Sequence, residues 1–434
     1  MTELLSGDEL PHLVTDIPGP ASAALAARLA RVESRNITAL DPAPICWTDA
    51  RGAAVRDADG NVYVDLTAGF GVAHAGHAND AVAAAIAGQA RRLAHGLGDV
   101  YPPEPRVRLL EKLAALAPGD LGVTILGSAG AEAVEAALKT ALLRTRRAGV
   151  IAFEGAYHGL TYGALGVTHR TDFRKPFRRQ LYAGVHFAPF PDEHNVADVL
   201  AHIDGILEFR TTGAIIIEPI QGRGGLRVPP AGFLRALRDR CDGSTTLLIF
   251  DEIYTGCGRT GRWFACEHED VVPDVIILGK ALTGSIALSA AIGTADVMSG
   301  WPPSAGEALH TSTFLGNPVA CAAALAQLDE IERHGLLARA TAVGDTIRAR
   351  AASWHRNSRS AGAPRGIGLL QGVPLEPPGA ALRVVRHCLA QGVLVLAEGA
   401  DADVLAITPP ATITDAQLGA ALDAVEAAIA TLDG

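Results

Sequence analysis

VIILGKALTG, residues 275–284, reads as a buried strand that ends on a lysine. Four consecutive apolar side chains with no polar alternation suit a strand covered on both faces. One glycine separates this run from Lys280. Only four of the 37 basic residues are lysines, and Lys112, Lys139 and Lys175 lie in helical or basic surroundings that suit solvated positions. An amine at the end of a buried strand is costly to desolvate. Two uses reconcile it: a Schiff base with a carbonyl cofactor, or snorkelling of the ammonium to water. The segment alone leaves both open.

Similar runs occur upstream: VTILG (123–127), VIAFEG (150–155), GAIIIEP (213–219) and LLIFDEI (247–253). Helical stretches separate them, which predicts an α/β fold with a parallel sheet covered on both faces. Before this block, ICWTDA, AAVRD and VYVDL (45–66) predict an antiparallel meander, with Asp59 and Gly60 in the last turn. After it, GLLQGVPL, GVLVLAEG and DVLAITP read as strands, and residues 415–432 as a closing helix. The expected organisation is a large domain over 76–328, and a small α+β domain built from 1–75 and 329–434.

With 434 residues and 49% hydrophobic content, the chain can bury a large core. The net charge of −10 argues against nucleic acid or an anionic membrane as main partner. No apolar stretch reaches the roughly 18 residues needed to span a bilayer. The first twenty residues have acids and no apolar signal core, so export is not expected. Six scattered cysteines without a CxxC pattern suit reduced thiols, hence a cytoplasmic setting.

Four further motifs carry chemistry. GSAGAEAVEAALKTALL (127–143) is a turn of small residues opening a helix with Val134, Leu138 and Leu142 on one face. Free N–H groups and the helix dipole there suit a phosphate, although a tight strand-to-helix connection also needs small residues. FEGAYHGLTYGA (153–164) puts Tyr157 and His158 after a strand end, where open α/β sheets bind ligands. Core packing for Tyr157 and a satisfied surface position for His158 are the plainer uses. In LLIFDEIYTGCGRTG (247–261), Asp251 ends an apolar strand and needs a cationic partner. A protonated pyridine nitrogen would serve and would make the ring an electron sink; a loop cap or an arginine would also satisfy it. HTSTFLGNPVACAAALA (310–326) places Thr313 before a helix that starts at Asn317 and Pro318, where its hydroxyl suits a phosphate. No metal site is expected, because His74 with His77 and Cys266 with His268 lack further ligands.

Together and in this order, the motifs closely resemble the class III (ω-type) aminotransferases of pyridoxal-phosphate fold type I. The resemblance runs from about residue 15 to the end and includes residues 57–77, EPIQGRGG (218–225), TFLGNP (313–318) and PRGIGL (364–369). It implies a mainly parallel seven-stranded-type sheet, pyridoxal 5'-phosphate as cofactor, and a homodimer with interfacial sites. Its substrates would be a small amino donor and a carbonyl acceptor, exchanged by ping-pong chemistry. Lys280 would form the Schiff base and shuttle the proton, with Asp251 pairing with the pyridinium. Tyr157 and Ile253 would flank the ring. Ala129, Gly130 and Ala131 would cradle the phosphate, and Thr313 would reach the phosphate of the partner subunit. Glu218 would line the pocket, and His158 belongs to the aromatic–His–Gly signature. The same scaffold also carries racemases and epimerases, which share the lysine, aspartate and phosphate turn; that alternative stays open.

Three departures from the family stand out. Ala129 occupies the usual serine position, so the hydroxyl falls to Ser128. Tyr254 replaces a common glutamine beside the cofactor's phenolic oxygen, and a phenol can make the same bond. The family's glutamate–arginine gate for carboxylates is replaced by Arg223 in EPIQGRGG and Ala406 in VLAITPP. Either Arg223 binds a substrate carboxylate through its fork, or it points to solvent while Ala406 opens space.

Overall fold

The computed structural model describes residues 4–38 and 44–433. The chain divides into two compact units, Met1–Asn79 with Thr341–Gly434, and Asp80–Ala340. These borders lie at 79/80 and 340/341, against the 75/76 and 328/329 read from the sequence. The helix Pro318–Arg333 packs on the helices Asp80–Arg92 and Glu104–Leu116, and so belongs with the larger unit.

In the first unit, β1 (Trp47–Arg51), β2 (Ala54–Asp57) and β3 (Val62–Asp65) form the antiparallel meander. Its last turn is held by Asp57, whose Oδ1 accepts the N–H groups of Asp59 and Asn61 at 2.9 Å each. Gly60 supplies the φ of 90° that this turn requires.

The larger unit carries seven strands: β4 (Leu121–Gly127), β5 (Gly149–Phe153), β6 (Val185–Ala188), β7 (Thr212–Ile217), β8 (Leu247–Asp251), β9 (Val275–Leu278) and β10 (Ser289–Thr294). Their order is β4-β10-β9-β8-β7-β5-β6. Every residue of β7, β8 and β9 is buried, which explains their unbroken apolar runs. The strand β10 is antiparallel to both neighbours. Residues 279–288, which lead into it from β9, are too few for the crossover of about a dozen residues that a parallel return needs. Sequence reading missed β10, made largely of Ser, Ala and Gly, and β6, a four-residue edge strand.

The helix Gly130–Thr145 lies on this sheet through Ala133, Val134, Ala137 and Ala141. The expected face of Val134, Leu138 and Leu142 is only partly right, since Leu142 is 47% exposed. Alanines permit the helix to lie close to Ile216, Ile249 and Ile277 of the sheet.

The remaining strands belong to the first unit: β11 (Arg365–Ile367), β12 (Leu370–Pro374), β13 (Val393–Leu394), β14 (Leu396–Glu398) and β15 (Val404–Ile407). β13 runs parallel to β3, with Val393 opposite Val64, and so joins the two chain ends in one sheet. The closing helix spans Asp415–Ala430.

At the start of Pro318–Arg333, Asn317 Oδ1 accepts the N–H groups of Val319 (2.9 Å) and Ala320 (3.1 Å). Asn317→Ala is expected to cost about 1 kcal/mol of local stability. Hydrogen exchange at the Val319 and Ala320 amides should accelerate accordingly, while amides in β8 stay protected.

Candidate active site

The chemistry-bearing residues of the larger unit collect at the carboxyl edge of its sheet, the ligand-binding edge of open α/β folds. β4 leads to Gly130, β5 to Tyr157 and His158, β7 to Glu218, β8 ends on Asp251, and β9 leads to Lys280. These residues line one cavity of about 340 Å³, joined by Ala131, Arg223, Ile253 and Tyr254. Gly159, Leu160 and Ile220 also line it and were missed by sequence reading. Gly159 did carry a signal: its φ is 117°, and a Cβ there would sit 2.8 Å from that of Ala131.

At the floor, Asp251 is 4% exposed, and its Oδ2 lies 2.7 Å from His158 Nδ1. Asp251 Oδ1 accepts the Ile253 N–H at 3.1 Å. The His158 backbone N–H donates to Thr168 Oγ1 at 2.9 Å, which fixes the main chain at this residue. Glu218 accepts two backbone N–H groups, from Tyr157 and Gly222, each at 3.1 Å.

Burial opposes charge on the His158 ring, but the hydrogen bond and charge of Asp251, with the charge of Glu218, prevail and raise its pKa. Burial pushes Glu218 up to about 7, aided by the Asp251 charge against the opposing His158 and N–H contacts. When both carboxylates are ionised, even a protonated His158 leaves this buried cluster one negative charge in excess.

Lys280 opens a short 3-10 turn, Lys280–Leu282, at φ 41°. That left-handed conformation is strained for a side-chain-bearing residue and is typical of functional positions. Its Nζ stands 4.1 Å from the centre of the Tyr254 ring. The Tyr254 ring in turn packs on Gly222, where a Cβ would meet Tyr254 Cδ1 at 2.5 Å. The Arg223 guanidinium lies 5.3 Å from the centre of the Tyr157 ring.

Not every expected residue lines the cavity. Ser128 and Ala129 precede the lining residues Gly130 and Ala131; the Ser128 N–H donates to Glu132 Oε2 at 2.8 Å, and the Ala129 carbonyl accepts from Ser289 Oγ at 2.7 Å. Thr313 is exposed, in the loop before the helix Pro318–Arg333. Ala406 is 1% exposed on β15 of the other unit, opposite Gly372 and Leu396. His77 pairs with Asp65 at 2.8 Å in that unit, and the Cys266 N–H donates to Glu252 at 2.8 Å.

The aminotransferase class-III family matches residues 37–429. The chain belongs to the class III aminotransferases. It is 35% identical to an acetylornithine aminotransferase from Methanosarcina mazei, over 89% of this chain and 92% of that one. It is 34% identical to a 4-aminobutyrate aminotransferase from Mycobacterium leprae, over 97% and 98%. Its fold matches the ornithine aminotransferase of Toxoplasma gondii with a TM-score of 0.86 and 29% identity, covering 94% of each chain.

As a class III aminotransferase of pyridoxal-phosphate fold type I, the protein is an enzyme that uses pyridoxal 5'-phosphate. The cavity fits that group. The helix Gly130–Thr145 begins with no side-chain cap, so its first N–H groups suit a phosphate. Gly130 comes so close to Ile253 that a Cβ would lie 2.8 Å from Cδ1. The buried carboxylate of Asp251 suits a protonated pyridine nitrogen.

Since Glu218 holds its proton in the folded apoprotein up to about pH 7, while in the unfolded chain it ionises near the ordinary value of 4.5, folding loses stability as pH rises through that window. Apoprotein carrying Glu218→Gln should escape this loss. Relative to wild type, its urea-melt stability is expected to improve by about 3 kcal/mol between roughly pH 4.5 and pH 8. A gap that does not change with pH would overturn the assignment.

Proposed function

We propose that this class III aminotransferase transfers an amino group from a carboxylate-bearing donor to a carbonyl acceptor by ping-pong chemistry, with Arg223 holding the carboxylate. The carrying observation is the Arg223 guanidinium over Tyr157, in the same cavity as Lys280. That position supports the inward use of Arg223 over the solvent-facing one. A guanidinium fork suits a carboxylate bidentately. The donors named for the acetylornithine and 4-aminobutyrate relatives both carry a carboxylate.

Bound in this cavity, pyridoxal phosphate supplies an aldehyde that condenses with amines and a ring that accepts electrons. Lys280 Nζ would hold the group through its aldehyde carbon and, released as a free amine, would move the proton from the donor carbon to a position one step away. Asp251 would accept a hydrogen bond from the ring nitrogen and keep it protonated, with His158 Nδ1 orienting that carboxylate. The N–H groups of Gly130 and Ala131 would hold the phosphate, with Ala129 and Ser128 completing the turn. Tyr157 and Ile253 would flank the ring, and the Tyr254 hydroxyl would meet the phenolic oxygen. Glu218, neutral below about pH 7, keeps a second charge away from Asp251.

The active form is proposed to be a homodimer in which Thr313 reaches the phosphate of the partner subunit. Exposed apolar side chains around Thr313 support this: Leu97, Tyr101, Leu309 and Phe314 are each at least 60% exposed. The His95 and Phe314 rings, 5.1 Å apart, link the two loops that carry them. Patches of this kind mark association surfaces. All six cysteines are free, which supports a reducing, cytoplasmic setting. None of the described helices is long and apolar enough to cross a membrane.

Mixing holoenzyme with a panel of carboxylate-bearing amines should bleach the cofactor's visible absorbance and release one equivalent of carbonyl product. Deuteration at the donor carbon in heavy water without that product would instead reveal a racemase or epimerase. Arg223→Ala is expected to raise KM for carboxylate donors about 30-fold, or about 2 kcal/mol, with little change for amines that lack a carboxylate. An unchanged KM for every carboxylate substrate would remove Arg223 from recognition. Phe314→Glu should shift the protein from dimer to monomer in sedimentation.

A further inference from the structure

Residues 170–179, RTDFRKPFRR, hold five cations and a single acid, Asp172, in a chain of net charge −10. They fold as the short helix Thr171–Arg174 followed by the 3-10 turn Lys175–Gln180. Arg170 is paired with Asp172 at 2.7 Å. Lys175, Arg178 and Arg179 are exposed and make no ion pair with any described carboxylate. Arg174 lies half-buried, 4.5 Å from the centre of the Phe187 ring. Burial and the nearby Arg178 charge both lower its pKa, so like charges crowd here. Such crowding costs folding free energy and is relieved by an anion.

The segment reaches the cavity through stacked rings. The Phe173 ring meets the Tyr157 ring edge-on at 5.9 Å, and Arg170 covers Phe173 at 4.8 Å. Tyr157 in turn carries Arg223, at 5.3 Å. Four side chains thus run as cation, ring, ring, cation from the basic segment to the cavity. Phe177 and Tyr162, with ring centres 6.1 Å apart, anchor the 3-10 turn. The segment therefore adjoins the cavity wall that Tyr157 forms.

We propose that the basic segment 170–179 is an electrostatic lip that draws ligands bearing a phosphate or a carboxylate into the cavity. The overall acidity of the chain repels such ligands, and a local reversal of sign at the mouth overcomes that repulsion. Lys175, Arg178 and Arg179 act on arrival, and Arg223 acts on the bound state. The carboxylate part of this inference rests on the donor class proposed above; the phosphate part does not.

The test compares wild type with K175E/R178E/R179E, and with the same charge change at Arg28, Arg31 and Arg35. Stopped-flow uptake of pyridoxal phosphate by the full-length apoenzyme is measured beside uptake of pyridoxal. The holoenzyme half-reaction is measured with 5-aminopentanoate beside pentylamine. Lip reversal should slow the phosphate- or carboxylate-bearing member of a pair about 10-fold relative to its partner at low salt. The difference should vanish near 0.5 M salt, at roughly 4 Å screening length. Slowing in the cofactor pair assigns the lip to phosphate, and slowing in the donor pair assigns it to carboxylate. Equal rates in wild type and the lip variant in both pairs would overturn the proposal. So would equal slowing by the Arg28/Arg31/Arg35 control, which would make the effect one of net charge. A donor pair that fails to react in wild type refutes the proposed donor class, while the pyridoxal phosphate pair still decides the lip.

Discussion

The 2.7 Å bond between Asp251 and His158 is the constraint on which the site depends. It runs from the end of β8 to the loop after β5, and in the sheet order it passes over β7, whose end carries Glu218. Three ionisable groups are thereby buried together at the edge of one sheet, and the protonation of His158 and of Glu218 is coupled. Removing any one leaves a buried charge or an unsatisfied acceptor, a larger cost than the bond itself contributes. The backbone follows: Thr168 secures the His158 N–H, while Glu218 secures those of Tyr157 and Gly222. Much of the lining is thus positioned by hydrogen bonds that lead back to the same buried cluster.

Two departures from the family pattern, Tyr254 and Arg223, are linked through Gly222. Its missing side chain admits the Tyr254 ring, above which Lys280 Nζ stands. Its N–H is held by Glu218, and the next residue, Arg223, turns its guanidinium over Tyr157. A larger residue at 222 would displace Tyr254 and move Arg223 with it. Tyr254 and Arg223 are therefore parts of one local rearrangement, in which aromatic faces receive both cations. Cation–ring contacts of this kind contribute about 0.5–2 kcal/mol each, enough to set side-chain orientation in a desolvated cavity.

What the sequence discloses follows from desolvation cost. Unbroken apolar runs at β7, β8 and β9 are legible because both faces are buried, and Asp251 and Lys280 are legible because a charge at such a strand end demands a reason. β10 escapes notice because its Ala and Gly residues are selected for close packing and lack strand preference. Leu160 and Ile220 escape because apolar loop residues announce no chemistry, although both line the cavity. The direction of Arg223 is illegible for another reason. It is set by Tyr157, far away in the chain, and only folding brings the two together. The same holds for residues 170–179, where a charge run becomes meaningful only once Phe173 is seen against Tyr157.

Polarity along the cavity ties these features to one ligand. In the proposed reading, the ring-nitrogen end is served by the buried carboxylate of Asp251. The phosphate end is served there by the positive pole of the helix Gly130–Thr145. A ligand with a cationic ring nitrogen and an anionic phosphate would then bind in one orientation, because reversal would set like against like at both ends. Low dielectric strengthens that preference, since neither end is screened as it would be in water. Arg223 adds a second positive pole beside Tyr157, so an amine whose other end is a carboxylate would be oriented by the same principle. The net negative charge of the chain does not conflict with this, because the selective charges are local and the net charge governs solubility.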